Sequence, residues 1–246
     1  MSKISIGDRF LTKCGWCEVI EYINNKEIVV IFDDTGYKNS YHAKDLRQGS
    51  IKDPFIRSVF EVGYLGDGPF SWSRTKKIYD KWNKMFERCY AAQAPTRNPT
   101  YIDCIVSKKF HCLQNFGYWY QDQYCSNIPN VQLDKDLLFK HNKIYSPNKC
   151  LLLPPKLNTL LIKADASRGQ CCIGVTYCEM YKKPYKAQCS INKRQVYKYF
   201  NTEYNAFRWY KRTKESHIQE VTESYKNVLD PRAYNALMNY EVEITD

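Results

Sequence analysis

The sequence predicts an α+β protein assembled from several small modules, and three observations carry that expectation. Short runs alternating apolar and polar residues fill positions 4–51, apolar side chains recur at helical spacing between 78 and 120, and a strand–loop–strand–helix pattern precedes a three-strand meander and a long amphipathic helix. The expected division is a small β-barrel at 1–52, a Gly/Pro-rich linker at 53–73, a helical and ββα module at 74–165, and a three-stranded sheet packed on a helix, with further C-terminal helices, at 170–246. With 246 residues, the chain is long enough to bury such cores without disulfide staples.

In the first module the runs Arg9-Phe10-Leu11, Cys17 to Tyr22 and Glu27 to Phe32 read as strands. Asn24-Asn25-Lys26 joins the second to the third as a hairpin, and Asp33-Asp34-Thr35-Gly36 closes the third. Five short strands in this span predict a small half-open barrel, because a lone hairpin cannot bury its apolar face. Such a barrel is expected to dock a protein partner rather than to catalyse. The stretch Gly63-Tyr64-Leu65-Gly66-Asp67-Gly68-Pro69 reads as a joint.

Helical spacing follows at Ile78, Trp82, Met85, Phe86 and Cys89, ended by Pro95 to Pro99, and a second stripe runs from Phe110 through Leu113, Phe116, Gly117 and Tyr120. Both stripes read as core. Val131 to Leu137 then reads as a strand, a polar loop passes through His141-Asn142-Lys143, Tyr145-Ser146-Pro147-Asn148 is a turn, and Cys150 to Leu153 is a second strand. Pro154-Pro155 opens a helix that carries Lys156, Asn158 and Leu160.

From Ile173 the runs Ile173 to Tyr177, Tyr185 to Ile191 and Gln195 to Phe200 alternate as a meander. Thr202 is placed to cap a long helix with Glu203 in its first turn and Tyr204, Phe207 and Tyr210 on its apolar side. A short helix and an acidic end follow Pro231.

Thirty-seven Lys and Arg against 26 Asp and Glu give a net charge of +11, which favours a polyanionic partner through counterion release. Aromatic residues make up 15% of the chain and interleave with basic ones, as in Lys182-Lys183-Pro184-Tyr185-Lys186 and Arg208-Trp209-Tyr210-Lys211-Arg212, a mixture suited to phosphate contact and base stacking. Eleven cysteines would fit a disulfide scaffold in a short secreted chain, but the first residues hold no apolar signal core, so reduced thiols in a cytosolic protein are expected. Cys14-Gly15-Trp16-Cys17 has the spacing of a zinc or redox pair, yet no second pair follows at finger spacing. No apolar run approaches the ~20 residues needed to cross a bilayer, and no membrane partner is expected.

The segment from Leu133 to Asn158 resembles the ββα-metal fold of HNH nucleases, in which an Asp on the first strand and an Asn or His on the helix hold one divalent cation. The resemblance assigns Asp134 and Asn158 to Mg²⁺ or another divalent cation and makes Asn148 the asparagine that ties the inter-strand loop. In that pattern a His follows the Asp and activates water; here Lys135 stands there, leaving Lys135, Asp136 and His141 as alternatives for the base.

Gly174-Val175, Tyr185-Lys186-Ala187, Phe200-Asn201-Thr202 and Ala206-Phe207-Arg208-Trp209-Tyr210 resemble the three-stranded DNA-binding domain named after the plant apetala transcription factors. That family lays its sheet in the major groove, which implies that Thr176, Tyr177, Lys186, Gln188, Ser190, Lys193 and Arg194, with Lys182 and Lys183 in the preceding loop, face double-stranded DNA. The family's glycine before the Phe-x-Thr turn is replaced here by Lys198-Tyr199.

Taken with the helix Trp82 to Tyr90, the order of these motifs is similar to that of phage HNH homing endonucleases over nearly the whole chain. The resemblance implies a sequence-selective, metal-dependent DNA endonuclease in the cytoplasm of an infected bacterium. Its alternative is a catalytically degenerate DNA-binding protein acting on a replication, transcription or host-defence complex.

Overall fold

The structure is a computed structural model and describes residues 3–97, 99–162 and 169–246. The protein is α+β, and the chain divides into two compact units, one of Met1–Trp119 with Lys143–Ser146 and one of Tyr120–Asn142 with Pro147–Asp246. The boundary read from sequence at 165 falls within residues 163–168, which lie outside those described.

In the first unit, β1 (Arg9–Thr12), β2 (Gly15–Asn24), β3 (Glu27–Phe32) and β4 (Lys38–Tyr41) form one antiparallel sheet in chain order. Asn24 caps the hairpin by accepting the Lys26 amide at 2.8 Å. Alternation sends Cys17, Val19, Ile28, Val30 and Phe32 into the core. The expected barrel does not close. The sheet has four strands where five were expected; Ala43–Arg47 forms a short helix, α1, and Ala43 and Leu46, spaced to share one face, cap the core, so β1 and β4 remain sheet edges among the described residues.

The Gly/Pro-rich stretch that follows is fastened by one side chain. The buried Gln114 amide donates to the carbonyls of Leu65 and Phe70, each at 2.9 Å, and accepts from the Phe70 amide at 3.0 Å. Helix α2 (Lys76–Tyr90) buries Ile78, Trp82, Met85 and Phe86, and the Trp82 indole donates to the Phe110 carbonyl at 2.8 Å. After α3 (Ala94–Arg97) comes β5 (Ile105–Val106), paired in parallel with β7 (Ile144–Tyr145), which the sequence presents as a turn.

The single helical stretch expected from Phe110 onward is two helices, α4 (Lys108–His111) and α5 (Leu113–Gln121). Tyr64 breaks it by donating to the His111 carbonyl at 2.9 Å and accepting the Leu113 amide at 3.0 Å, which holds Cys112 extended. Gly117 lets α5 approach Phe70, whose ring a Cβ there would meet at 2.4 Å.

In the second unit, β6 (Gln132–Asp134) pairs antiparallel with β8 (Leu151–Leu153), and α6 (Pro155–Leu160) starts directly afterwards on Pro155. Helix α6 packs on β6 and also on the long helix α7 (Glu203–Glu223). Strands β9 (Val175–Tyr177), β10 (Tyr185–Ile191) and β11 (Arg194–Phe200) make the antiparallel order β11-β10-β9, with α7 beneath β10.

Thr202 caps α7 as predicted, its hydroxyl accepting the Asn205 amide at 3.3 Å, and α8 (Pro231–Met238) follows. The core beneath the sheet holds Val175, Ala187, Cys189, Ala206, Phe207 and Tyr210. Tyr204 is exposed instead of apolar core, with the Arg208 guanidinium over its ring at 5.8 Å. Gly174 is required where it stands: its φ is +74° and a Cβ would lie 2.2 Å from the Tyr210 ring.

Candidate functional site

Cross-strand register decides which side chains share the outer face of the C-terminal sheet. Lys186 pairs with Thr176 and with Tyr199, Gln188 with Tyr197, and Ser190 with Gln195, while Ala187 and Cys189 between them point into the core. Thr176, Lys186, Gln188 and Ser190 therefore form one row with Gln195, Tyr197 and Tyr199. Tyr177 pairs with Tyr185 and Arg194 with Ile191, which puts both on the opposite parity, at the rim of the core face. Lys182 and Lys183 lie exposed in the β9–β10 connection. Lys193 is exposed in the two-residue turn Asn192-Lys193, where φ is +48° and +66°, the conformation that a tight hairpin demands.

The tyrosines of this face were legible as strand residues but not as site residues. Tyr197 is 58% exposed and meets Tyr199 edge-on, with ring centroids 5.9 Å apart. Tyr181, 50% exposed in the β9–β10 connection, leans on Tyr199 at 5.1 Å. The Lys186 ammonium sits over the Tyr197 ring, 4.7 Å from its centroid. Strands β9, β10 and β11 contain no Asp or Glu.

The second group of predicted residues surrounds the end of β6. Asp134 bends the chain there: its Oδ1 accepts the backbone amides of Asp136 at 3.0 Å and Leu137 at 2.7 Å. Burial pushes its carboxyl above the ordinary carboxylate range, against the opposing pull of the Leu137 amide. Because both amides share Oδ1, the other oxygen carries no hydrogen bond among the described residues.

Lys135 is only 5% exposed and is fully engaged. Its ammonium donates to Asp136 Oδ1 at 2.7 Å, to Asp136 Oδ2 at 2.8 Å and to the Asn142 carbonyl at 2.6 Å. The Asn142 amide returns a bond to the Lys135 carbonyl at 2.8 Å. An ammonium with its donors so committed is a structural cation, since a base must offer a lone pair.

His141 is exposed, with φ +61°, and Asn148 is exposed in the turn before β8. Asn158 is half-buried on α6, which packs on β6, and its side chain makes no hydrogen bond among the described residues. Residues from the C-terminal end complete this region: Lys140 pairs with Glu243 and lies 6.0 Å from the centre of the Tyr240 ring. The Tyr240 hydroxyl is pushed up to about 12 by burial, with the charges of Asp246, Glu243 and Asp134 adding to it. Lys140, Tyr240 and Glu243 escaped the sequence reading, because Lys140 and Glu243 pair across 103 positions.

Among the described residues no three His, Cys, Asp or Glu side chains gather as a metal-holding group, and no helix is long and apolar enough to cross a membrane. Among the described residues no two cysteines form a disulfide. Compared with protein-family models, with curated proteins and with solved structures, the chain matches none.

Proposed function

We propose that this chain is a sequence-selective DNA-binding protein that docks double-stranded DNA on the outer face of β9–β11 and acts on it as an HNH-type, metal-dependent endonuclease. The observation that carries the binding half is the outward-facing row Thr176, Lys186, Gln188 and Ser190 on strands free of acidic residues, flanked by the exposed Lys182, Lys183 and Lys193. Lysines there neutralise phosphate and set register, while Gln188 has the paired donor and acceptor that read an adenine edge. Net positive charge supplies the salt-dependent attraction.

The cutting half rests on β6, β8 and α6. The second oxygen of Asp134 and the side-chain oxygen of Asn158 are uncommitted, and two hard oxygen donors suit a cation such as Mg²⁺ that keeps several waters. When bound, such a cation polarises the phosphate and stabilises the leaving oxygen. Of the three alternatives for the base, Lys135 is spent on its hydrogen bonds and Asp136 is held by Lys135, which leaves the exposed His141 imidazole to take the proton from water. Asn148 shapes the turn that leads into β8.

One observation favours a second reading. The closed Lys135–Asp136–Asn142 network, with Lys140 tied to Glu243, suits a scaffold as well as a catalyst. In that reading the protein binds DNA without cutting and acts on a replication, transcription or host-defence complex. Its protein partner would dock on the N-terminal sheet, where Leu11 and Trp16 are exposed. Incubating supercoiled DNA with the protein, with Mg²⁺ present or chelated, separates the two. Metal-dependent nicking or linearisation that Asp134→Ala abolishes is expected; binding without strand scission at any divalent metal tried would leave the scaffold reading.

A further inference from the structure

We infer that the outer face of β9–β11 takes unpaired bases, with Tyr181, Tyr199 and Tyr197 as a stacking platform, so that the preferred substrate is DNA locally opened or single-stranded at the contact. The inference rests on the reading that this face binds DNA and specifies the form of DNA it prefers.

Three tyrosines stand side by side on one face, Tyr197 and Tyr181 at least half exposed and Tyr199 half-buried against both. Rings left in water at this density point to a partner that buries them. The surrounding charge selects that partner as a polyanion. Lys186 shares the face with the tyrosines, Lys193 stands exposed in the adjoining turn, and residues 185–200 contain no acidic side chain.

Ring faces distinguish open from paired DNA. In an intact duplex the base faces are stacked on one another and only their edges are offered in the groove, where hydrogen-bonding side chains are the suitable readers. A tyrosine face finds a match only in a base that has left the stack, and such contacts tolerate any sequence because each base has a π-face. Lys186, held over one side of Tyr197, is placed to meet the phosphate of a strand whose base stacks on the ring. The lysine and tyrosines thus act on the same nucleotides.

The test uses the full chain and three labelled oligonucleotides of related sequence: a duplex, the same duplex with a central unpaired bubble, and one strand alone. Fluorescence anisotropy is expected to give tighter binding to the bubble and to the single strand than to the duplex. Tyr181→Ala with Tyr197→Ala should weaken binding to both unpaired forms by roughly tenfold or more, from the usual value of base–aromatic stacking, with little change on the duplex. Tyr181→Phe with Tyr197→Phe keeps the rings and should bind like the wild type, which also guards against a folding defect in the alanine variant. Equal affinity for paired and unpaired forms, or equal loss in the Phe and Ala variants, overturns the inference, the latter by assigning the tyrosine hydroxyls to phosphate contact. Duplex binding that depends on Lys186 but not on the tyrosines overturns only this inference, whereas no binding to any of the three DNAs overturns the DNA-binding reading itself.

Discussion

Lys135 and Asn142 hold each other twice, the lysine ammonium donating to the asparagine carbonyl at 2.6 Å and the asparagine amide donating to the lysine carbonyl at 2.8 Å. This reciprocal pair closes the loop that begins at Asp134, and it fills a position where a general base was the sequence-based expectation. Lys135→Met should therefore lower stability by about 1–3 kcal/mol, because a buried carbonyl and a carboxylate lose their donor. Denaturant unfolding of the two proteins measures it; an unchanged midpoint would mean that the loop closes without the lysine.

Asp134 offers a second check, on the sign of a charge effect. Burial raises its pKa in the folded chain, so its contribution to stability is complete below the ordinary carboxylate range and is lost as the pH rises through the raised value. Asp134→Asn keeps an Oδ1 to accept the Asp136 and Leu137 amides and removes the buried charge. At neutral pH this variant should melt no lower than the wild type, with the gap closing toward acid pH, while metal-dependent cleavage disappears. A variant that melts lower at neutral pH would show that the ionised carboxylate is stabilising.

Much of the fold was legible because its signals are local. The alternation of β2 and β3, the Asn24 hairpin, the stripe from Ile78 to Phe86 and the Thr202 cap each depend on residues within a turn or two of one another. What escaped depends on distant partners. Strands β5 and β7 are two residues each, too short for a period, and Tyr64 interrupts a helix stripe some fifty positions downstream. At the site, the sequence singled out Lys186 and Gln188 but passed over Tyr197 and Tyr199. Their face follows only from the register that the Asn192-Lys193 turn imposes on β10 and β11.

Gly174→Ala should destabilise the C-terminal unit by about 2–3 kcal/mol, since it combines a left-handed backbone with overlap on a packed ring. Thermal unfolding followed by near-ultraviolet circular dichroism, which reports Tyr210 and Trp209, is the measurement. Restoration by Tyr210→Leu in the double variant would identify the ring as the cause, and an unaffected Gly174→Ala protein would refute the packing given above.

Lys182 and Lys183 are exposed in the β9–β10 connection and are assigned here to phosphate contact. Replacing either with Ala should weaken DNA binding evenly across sequences and reduce the slope of log Kd against log salt by about 1. Salt titrations of wild type and variants give the slope directly. An unchanged slope removes these lysines from the interface.

The most direct test of the central claim, that the outer face of β9–β11 binds DNA, is an anisotropy titration of labelled DNA at fixed salt with wild type and with Lys186→Ala/Gln188→Ala. Both side chains project away from the core, so the variant should unfold at the wild-type temperature. The wild type should bind, and the double variant should bind at least about tenfold more weakly, for the loss of one phosphate and one base-edge contact. A wild type that does not bind DNA, or a double variant that binds as tightly, would contradict that claim.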